Sequence, residues 1–204
     1  MKGKNVAFLF SGRGSLLNSV INGINKSKTD SILKLVITNN TSINHDRFGD
    51  YNFHIIDHKQ YDCRTNFEKE IINLLEINNI ELIVLGGFRR IFTPTFVDKY
   101  GNMTINTHPS ILPAFPGDHA QKKAIEAGVK ITGATIHFIN NEVDQGPIIN
   151  QDIVRINTNT QESELKEKII KVEEKIIANA VSDFLNGYLV IEGHKVINLR
   201  GSNE

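Results

Sequence analysis

The chain is poor in the residues that mark secreted, metal-binding and membrane proteins. Its 204 residues include one cysteine, Cys63, and no tryptophan. A single cysteine excludes an internal disulfide, and no Cys/His cluster has the spacing of a zinc site. The apolar run near the start, Val6 to Phe10, is too short for a signal peptide core or for a span of ~20 apolar residues. A metal-free protein of the cytoplasm that does not enter a membrane is therefore expected.

Net charge is also lacking. The 23 Lys and Arg residues are balanced by 23 Asp and Glu residues, which gives a formal charge of zero at pH 7. A chain without a long-range positive field is not expected to bind nucleic acid or anionic lipid. Its length suits one domain of ~100 to 200 residues with a sizeable core. We expect a single domain over residues 1–204 that acts on small molecules, as a monomer or a homodimer.

Apolar runs alternate with amphipathic segments in the first half of the chain. Val6 to Phe10 and Glu81 to Leu85 are continuously apolar, which is typical of strands buried on both faces of a parallel sheet. Between them, Leu16 to Ile24 and Phe67 to Ile77 carry apolar residues on one helical face. Five such βα units are expected before residue 110. The pattern predicts an α/β protein with a Rossmann-like, doubly wound, mostly parallel sheet.

The second half has a different pattern. Thr132 to Ile139 and Ile148 to Ile156 alternate in polarity, which predicts antiparallel or edge strands near the C-terminal end of the sheet. Glu162 to Leu185 is expected to be one long amphipathic helix, and Tyr188 to Leu199 a hairpin. A short helix is predicted for the segment from Arg89 to Phe96, with a proline in its first turns.

A glycine-rich loop, Ser11 to Ser15, lies between the first strand and the first helix. Glycines let the backbone approach an anion, and free N–H groups at a helix start favour phosphate. The dinucleotide fingerprint is not met, because Leu17 stands where its third glycine is needed. The loop is either a tight turn whose glycines serve geometry alone or, as we favour, a monophosphate site.

A second candidate site follows a central strand at Asn106 and His108. Two residues apart on an extended chain, their side chains point the same way. An amide can stabilise an oxyanion, and a histidine can move a proton near neutral pH. Asp144, which is 36 residues further on, is a possible partner that would orient His108 and favour its charged form. His137, which alternates with apolar residues, is interpreted as a core or rim histidine.

Five short motifs occur in a fixed order along the chain. Their order and spacing resemble the folate-dependent formyltransferases, and the similarity covers essentially the whole chain. The N-x-H-P-S-x-L-P block with a later D-x-G-P is the most specific part. The motifs are Ser11-Gly12-Arg13-Gly14-Ser15, Gly87-Phe88-Arg89-Arg90-Ile91, Asn106-Thr107-His108-Pro109-Ser110-Ile111-Leu112-Pro113, Phe115-Pro116-Gly117 and Asp144-Gln145-Gly146-Pro147.

The resemblance implies a Rossmann-like formyltransferase domain with Asn106, His108 and Asp144 as its catalytic set. In this family an amine attacks the formyl carbon of 10-formyltetrahydrofolate and gives a tetrahedral intermediate. Asn106 would donate a hydrogen bond to the oxyanion, and His108 would act as general acid. Asp144 would hold His108 in its charged form. No metal is required.

The resemblance also implies two binding sites. The phosphate-binding half, about residues 1–100, and the catalytic and folate-binding half, about residues 101–204, would each contribute to them. The acceptor's ribose phosphate would bind the backbone of Gly14, Ser15 and Leu16, and Glu174 would contact the rest of the acceptor. The folate would be bound by Arg64, Arg89, Arg90, Ile91, Phe92, Asn106, Asn140, Asn141, Glu142, Val143 and Asp144.

The leading acceptor is glycinamide ribonucleotide of purine biosynthesis, because a ribose monophosphate suits one helix N-terminus. The alternatives are a formyltransferase for a nucleotide-linked amino sugar and a non-catalytic sensor of folate or nucleotide. Retention of all three catalytic residues argues against a sensor. The chain departs from the family pattern at Leu16, where Asn is usual, at Arg89, where Met is usual, and at Lys175, where His is common.

Overall fold

Nine strands form one mixed sheet in the structure, a computed structural model that describes residues 2–201. The strands are β1 (Asn5–Phe10), β2 (Ile32–Thr38), β3 (Phe53–Ile55), β4 (Ile80–Leu85), β5 (Thr104–His108), β6 (Ile131–Phe138), β7 (Ile148–Arg155), β8 (Leu189–Glu192) and β9 (Lys195–Asn198). Their order across the sheet is β3-β2-β1-β4-β5-β6-β7-β9-β8.

The strand direction first reverses at β6. The five strands from β3 to β5 pair in parallel, whereas β6 is antiparallel to both β5 and β7. The last two strands, β8 and β9, form an antiparallel hairpin that joins β7 at Ile148. The prediction of a doubly wound, mostly parallel sheet with antiparallel strands near the C-terminal end is confirmed.

Helices cover both faces of the sheet. They are α1 (Leu17–Lys26), α2 (Arg64–Ile77), α3 (Pro94–Tyr100), α4 (Ala120–Glu126) and α5 (Glu162–Leu185). Side chains alternate between the faces of a strand. On β1, Val6, Phe8 and Phe10 therefore pack in one core with α1 and α5, while Ala7 and Leu9 pack in the other with α2 and α3. The continuous apolar run of β1 is thus buried on both sides.

The predicted helix from Arg89 to Phe96 is wrong in its first half. Helix α3 begins only at Pro94, and Arg89 and Arg90 lie in an irregular segment after β4. The buried carboxylate of Glu68 accepts a hydrogen bond of 2.7 Å from the backbone N–H of Thr93. That bond satisfies a free N–H group just before α3, and proline fixes the first helical φ angle, so the helix starts there.

The ends of the predicted domain, 1–204, include Met1 and residues 202–204, which lie outside the described range. The assignment of one domain stays a prediction. No helix within residues 2–201 is long and apolar enough to cross a membrane.

Candidate active site

The carboxyl ends of the parallel strands open into a cavity of about 1060 Å³. Open α/β sheets bind their ligands at this edge, next to the point where strand order reverses. Its lining comes from the β1–α1 loop, the segment that leads into α2, the segment after β4, the end of β5 and the loop that follows it, the end of β6 with the turn before β7, and one face of α5. Both candidate sites of the sequence therefore face the same space.

Asn106 and His108 both line this cavity from β5. His108 is 5% exposed, and its Nε2 is 2.9 Å from the carbonyl oxygen of Phe115. A carbonyl oxygen only accepts, so Nε2 carries a proton. The loop that follows β5 thus folds back and holds one nitrogen of the ring.

Asp144 holds the other nitrogen. Its Oδ2 is 3.2 Å from Nδ1 of His108, and the same oxygen accepts a 2.7 Å hydrogen bond from the backbone N–H of Gly117. Both His108 nitrogens therefore face oxygen atoms, which fixes the orientation of the ring. Asp144 reaches this position with a positive φ of 56°, a conformation that Asp and Asn adopt more readily than most residues.

His137 is a part of the site that the sequence did not predict. It is buried, as expected of a core histidine, but its Nε2 is 3.1 Å from the side-chain amide nitrogen of Asn106. Its Nδ1 donates to the carbonyl oxygen of Phe138 at 2.8 Å, so Nε2 is free to accept from Asn106. Burial lowers the pKa of His137, which keeps the ring neutral and the acceptor available.

Glu173, and not Glu174, faces the cavity from α5. The side chain of Glu173 is buried and its Oε1 accepts a 2.6 Å hydrogen bond from the hydroxyl of Thr107. Burial raises the pKa of Glu173 to about 7, and the Thr107 hydroxyl lowers it. Glu174 does not line the cavity because consecutive helical residues point about 100° apart. The acceptor contact of Glu174 stays a prediction, and Glu173 is the glutamate of this pair that lines the cavity.

The β1–α1 loop supplies free backbone donors. Ser15 and Leu16 line the cavity, and their N–H groups form no hydrogen bond within the described part of the chain. Gly14 precedes them with a φ of 67°, and a Cβ there would lie 3.1 Å from the Phe10 ring. The turn therefore needs glycine, and the two lining residues that follow it carry free amides at the start of α1.

The residues predicted to bind folate all line the cavity. Most of them lie in two groups, the segment after β4 and the turn between β6 and β7, while Arg64 begins α2 and Asn106 is on β5. Asn140 stabilises that turn, because its side-chain oxygen accepts from the N–H of Glu142 at 3.0 Å and its amide donates to Gln145. The lining residues are Arg64, Arg89, Arg90, Ile91, Phe92, Asn106, Asn140, Asn141, Glu142, Val143 and Asp144.

Comparison with known proteins decides the family. A family model described as formyl transferase matches residues 4–181. The chain belongs to the formyl transferase family. It is 32% identical over 186 residues to phosphoribosylglycinamide formyltransferase of Bacillus subtilis (strain 168), an alignment that covers 89% of this chain and 95% of the relative.

Other relatives are longer. The chain is 37% identical over 185 residues to the trifunctional purine biosynthetic protein adenosine-3 of Gallus gallus; the alignment covers 89% of this chain, which spans 18% of that protein. Among solved structures, glycinamide ribonucleotide transformylase 1 of Symbiobacterium toebii superposes with a TM-score of 0.89 and 31% identity, covering 96% of this chain and 93% of that one.

Further titratable residues of the chain line the cavity. They include His58, Asp62, Cys63, Asp118 and His119, and Lys166 on α5. Across residues 2–201, no group of three or more His, Cys, Asp or Glu side chains is placed to hold a metal ion.

Proposed function

We propose that this formyltransferase transfers the formyl group of 10-formyltetrahydrofolate to the amine of glycinamide ribonucleotide. The observation that carries the proposal is the contact of His108 with Asp144, beside Asn106, in the same cavity as the free amides of Ser15 and Leu16. The names of relatives that match most of the chain support the same acceptor.

Asn106 would stabilise the tetrahedral intermediate. Its amide nitrogen has two N–H groups, and one of them is directed to Nε2 of His137. The second remains for the oxyanion that forms when the amine attacks the formyl carbon. A donor that is already oriented costs no reorganisation during the reaction, which is why such donors lower barriers by several kcal/mol, on the order of 3.

His108 would act as the general acid. The Asp144 carboxylate faces Nδ1 of His108, so the proton on that nitrogen stays on the ring. The proton on Nε2, which in this structure is directed at the Phe115 carbonyl oxygen, is the one that moves. It is delivered to the folate nitrogen as the bond between that nitrogen and the formyl carbon breaks. The attacking amine loses a proton in the same sequence, so His108 regains its charge and no net proton is consumed.

The acceptor would lie between the β1–α1 loop and β5. Its phosphate would accept hydrogen bonds from the N–H groups of Ser15 and Leu16, where the dipole of α1 favours a negative charge. Glu173 would contact the polar groups of the ribose and glycinamide parts from α5. The side chain of Leu16, in place of the usual amide, leaves this phosphate recognition to the backbone.

The folate would occupy the opposite side of the cavity. Its negatively charged tail suits the guanidinium groups of Arg64 and Arg90, and its ring system suits the backbone of the turn from Asn140 to Asp144. With a net charge of zero, the chain attracts two anionic substrates by these local groups and not by a long-range field.

An acceptor comparison tests the proposal. Purified protein is mixed with 10-formyltetrahydrofolate and either glycinamide ribonucleotide or a nucleotide-linked amino sugar, and tetrahydrofolate release is followed. We expect release that depends on glycinamide ribonucleotide. Release with the amino sugar but not with glycinamide ribonucleotide would overturn the assignment of the acceptor. Release without any acceptor would indicate hydrolysis, and binding of both substrates without turnover would indicate a sensor.

A further inference from the structure

Strand β5 presents its two faces to the two sides of the cavity. Asn106 and His108 point to the face that carries α2 and α3, while Thr107 points to the opposite face, as Ile105 does in the core with α5. The Thr107 hydroxyl is 2.6 Å from Oε1 of Glu173, and both side chains are buried, at 6% and 9% exposure. The hydroxyl of Thr107 therefore joins β5 directly to α5.

A buried carboxylate needs such a partner. Removing a charged group from water is unfavourable unless hydrogen bonds replace the lost solvent. Burial raises the pKa of Glu173 to about 7, the Thr107 hydroxyl lowers it, and the charge of neighbouring Glu174 raises it. On the two elements that carry this pair, the other titratable groups that line the cavity are Lys166 on α5 and His108 on β5, whereas the β1–α1 loop contributes Ser15 and Leu16.

We propose that Thr107 is a positioning residue for the acceptor: its hydroxyl holds the Glu173 carboxyl group in one orientation at the end of β5. The proposal rests on the proposed function. Thr107 stands between Asn106 and His108, whose α-carbons are only ~7 Å apart on an extended strand. The three consecutive residues Asn106, Thr107 and His108 therefore hold both the reacting groups and, through Thr107, the Glu173 carboxyl group that contacts the acceptor.

The test compares two substitutions at Thr107 with one at Thr104. Thr107→Val keeps the shape and removes the hydroxyl, whereas Thr107→Ser keeps a hydroxyl. Thr104→Val is the matched control, because Thr104 is buried on the same strand and donates to the carbonyl oxygen of Tyr100 at 2.8 Å, away from the cavity. Steady-state kinetics with each substrate, circular dichroism and thermal unfolding are measured for all three variants.

Thr107→Val should raise KM for glycinamide ribonucleotide by roughly 10- to 100-fold, the loss expected for a hydrogen bond to a charged group. KM for the folate should change little. The acid limb of kcat/KM for the acceptor should move to higher pH, because Glu173 then gains its proton more readily. Thr107→Ser should restore most of both properties, and Thr104→Val should leave them as in the wild type.

A double-mutant comparison separates positioning from a general loss of structure. If Thr107 acts through Glu173, Thr107→Val should add little to the effect of Glu173→Gln. Additive effects, an unshifted pH profile or failure of Thr107→Ser to restore the acceptor KM would each overturn the proposal. A wild type that does not formylate glycinamide ribonucleotide would instead overturn the proposed function, so the two failures are distinct.

Discussion

Replacing Asp144 with Asn tests the proton-transfer part of the site with little structural disturbance. Asn tolerates the positive φ of 56° at this position. It also retains a side-chain oxygen that can accept from the N–H of Gly117, which in the wild type is 2.7 Å from Oδ2 of Asp144. The substitution removes a negative charge that lies 3.2 Å from Nδ1 of His108, on a side chain that is only 10% exposed. The substitution therefore isolates the charge from the shape.

The expected loss follows from that distance. At 3.2 Å and an effective dielectric constant of ~20, two unit charges attract by about 5 kcal/mol. That attraction holds the His108 ring, so without it the Nε2 proton that must be delivered is less well oriented. General acid catalysis contributes roughly 10²- to 10⁴-fold to a rate, and we expect kcat for Asp144→Asn to fall within that range.

The assay is tetrahydrofolate release at saturating substrates, with KM values measured for both. We expect kcat to fall while both KM values stay within about threefold of the wild type, since Asp144 acts on the reacting groups. Asp144→Ala should in addition unfold at a lower temperature, because alanine is strained at positive φ and leaves Gly117 without its acceptor. An Asp144→Asn enzyme with unchanged kcat would refute the role given to His108.

Three further predictions concern other parts of the molecule. His137→Phe should lower kcat with little change in either KM, because the Asn106 amide loses the acceptor, 3.1 Å away, that orients it. A change in either KM as large as the change in kcat would contradict this. In the wild type, kcat/KM for the acceptor should decline as pH falls through about 7, since Glu173 then binds a proton, and Glu173→Gln should abolish that decline. Gly23→Ala should lower the free energy of unfolding by about 1 to 3 kcal/mol, because the added Cβ would lie 2.6 Å from the carbonyl oxygen of Ala178, where α1 meets α5. Gly49→Ala is the control: its added Cβ would have its nearest contact at 3.5 Å, so this variant should unfold like the wild type.

The sheet was predictable because its signals are local. A run such as Val6 to Phe10 is apolar at every position, and only a strand covered on both faces buries all of it. The alternation of Thr132 to Ile139 likewise matched a strand at which direction reverses. The placing of Asn106 and His108 on one face of β5 followed from the two-residue period of a strand, which needs no knowledge of the rest of the fold.

The missed parts of the site depend on contacts between distant segments. His137 is opposite Asn106 only because β5 and β6 pair in one particular register, and the sequence does not reveal that register for two residues 31 positions apart. Glu173 and Glu174 are chemically identical neighbours, and a glutamate is seldom buried. The feature that selects Glu173 is the Thr107 hydroxyl, 66 residues earlier in the chain, which partly replaces its lost solvent.

The central claim is that the formyl carbon passes from the folate to the amine of glycinamide ribonucleotide in this cavity. It is tested most directly with 10-formyltetrahydrofolate labelled with ¹³C in the formyl group, by following the label in the NMR spectrum of the reaction mixture. The account predicts that the label appears as the formamide of the ribonucleotide with the wild type, and that Asp144→Asn slows its appearance without diverting it. Label that accumulates as formate, or that stays on the folate while tetrahydrofolate is not released, would contradict the account.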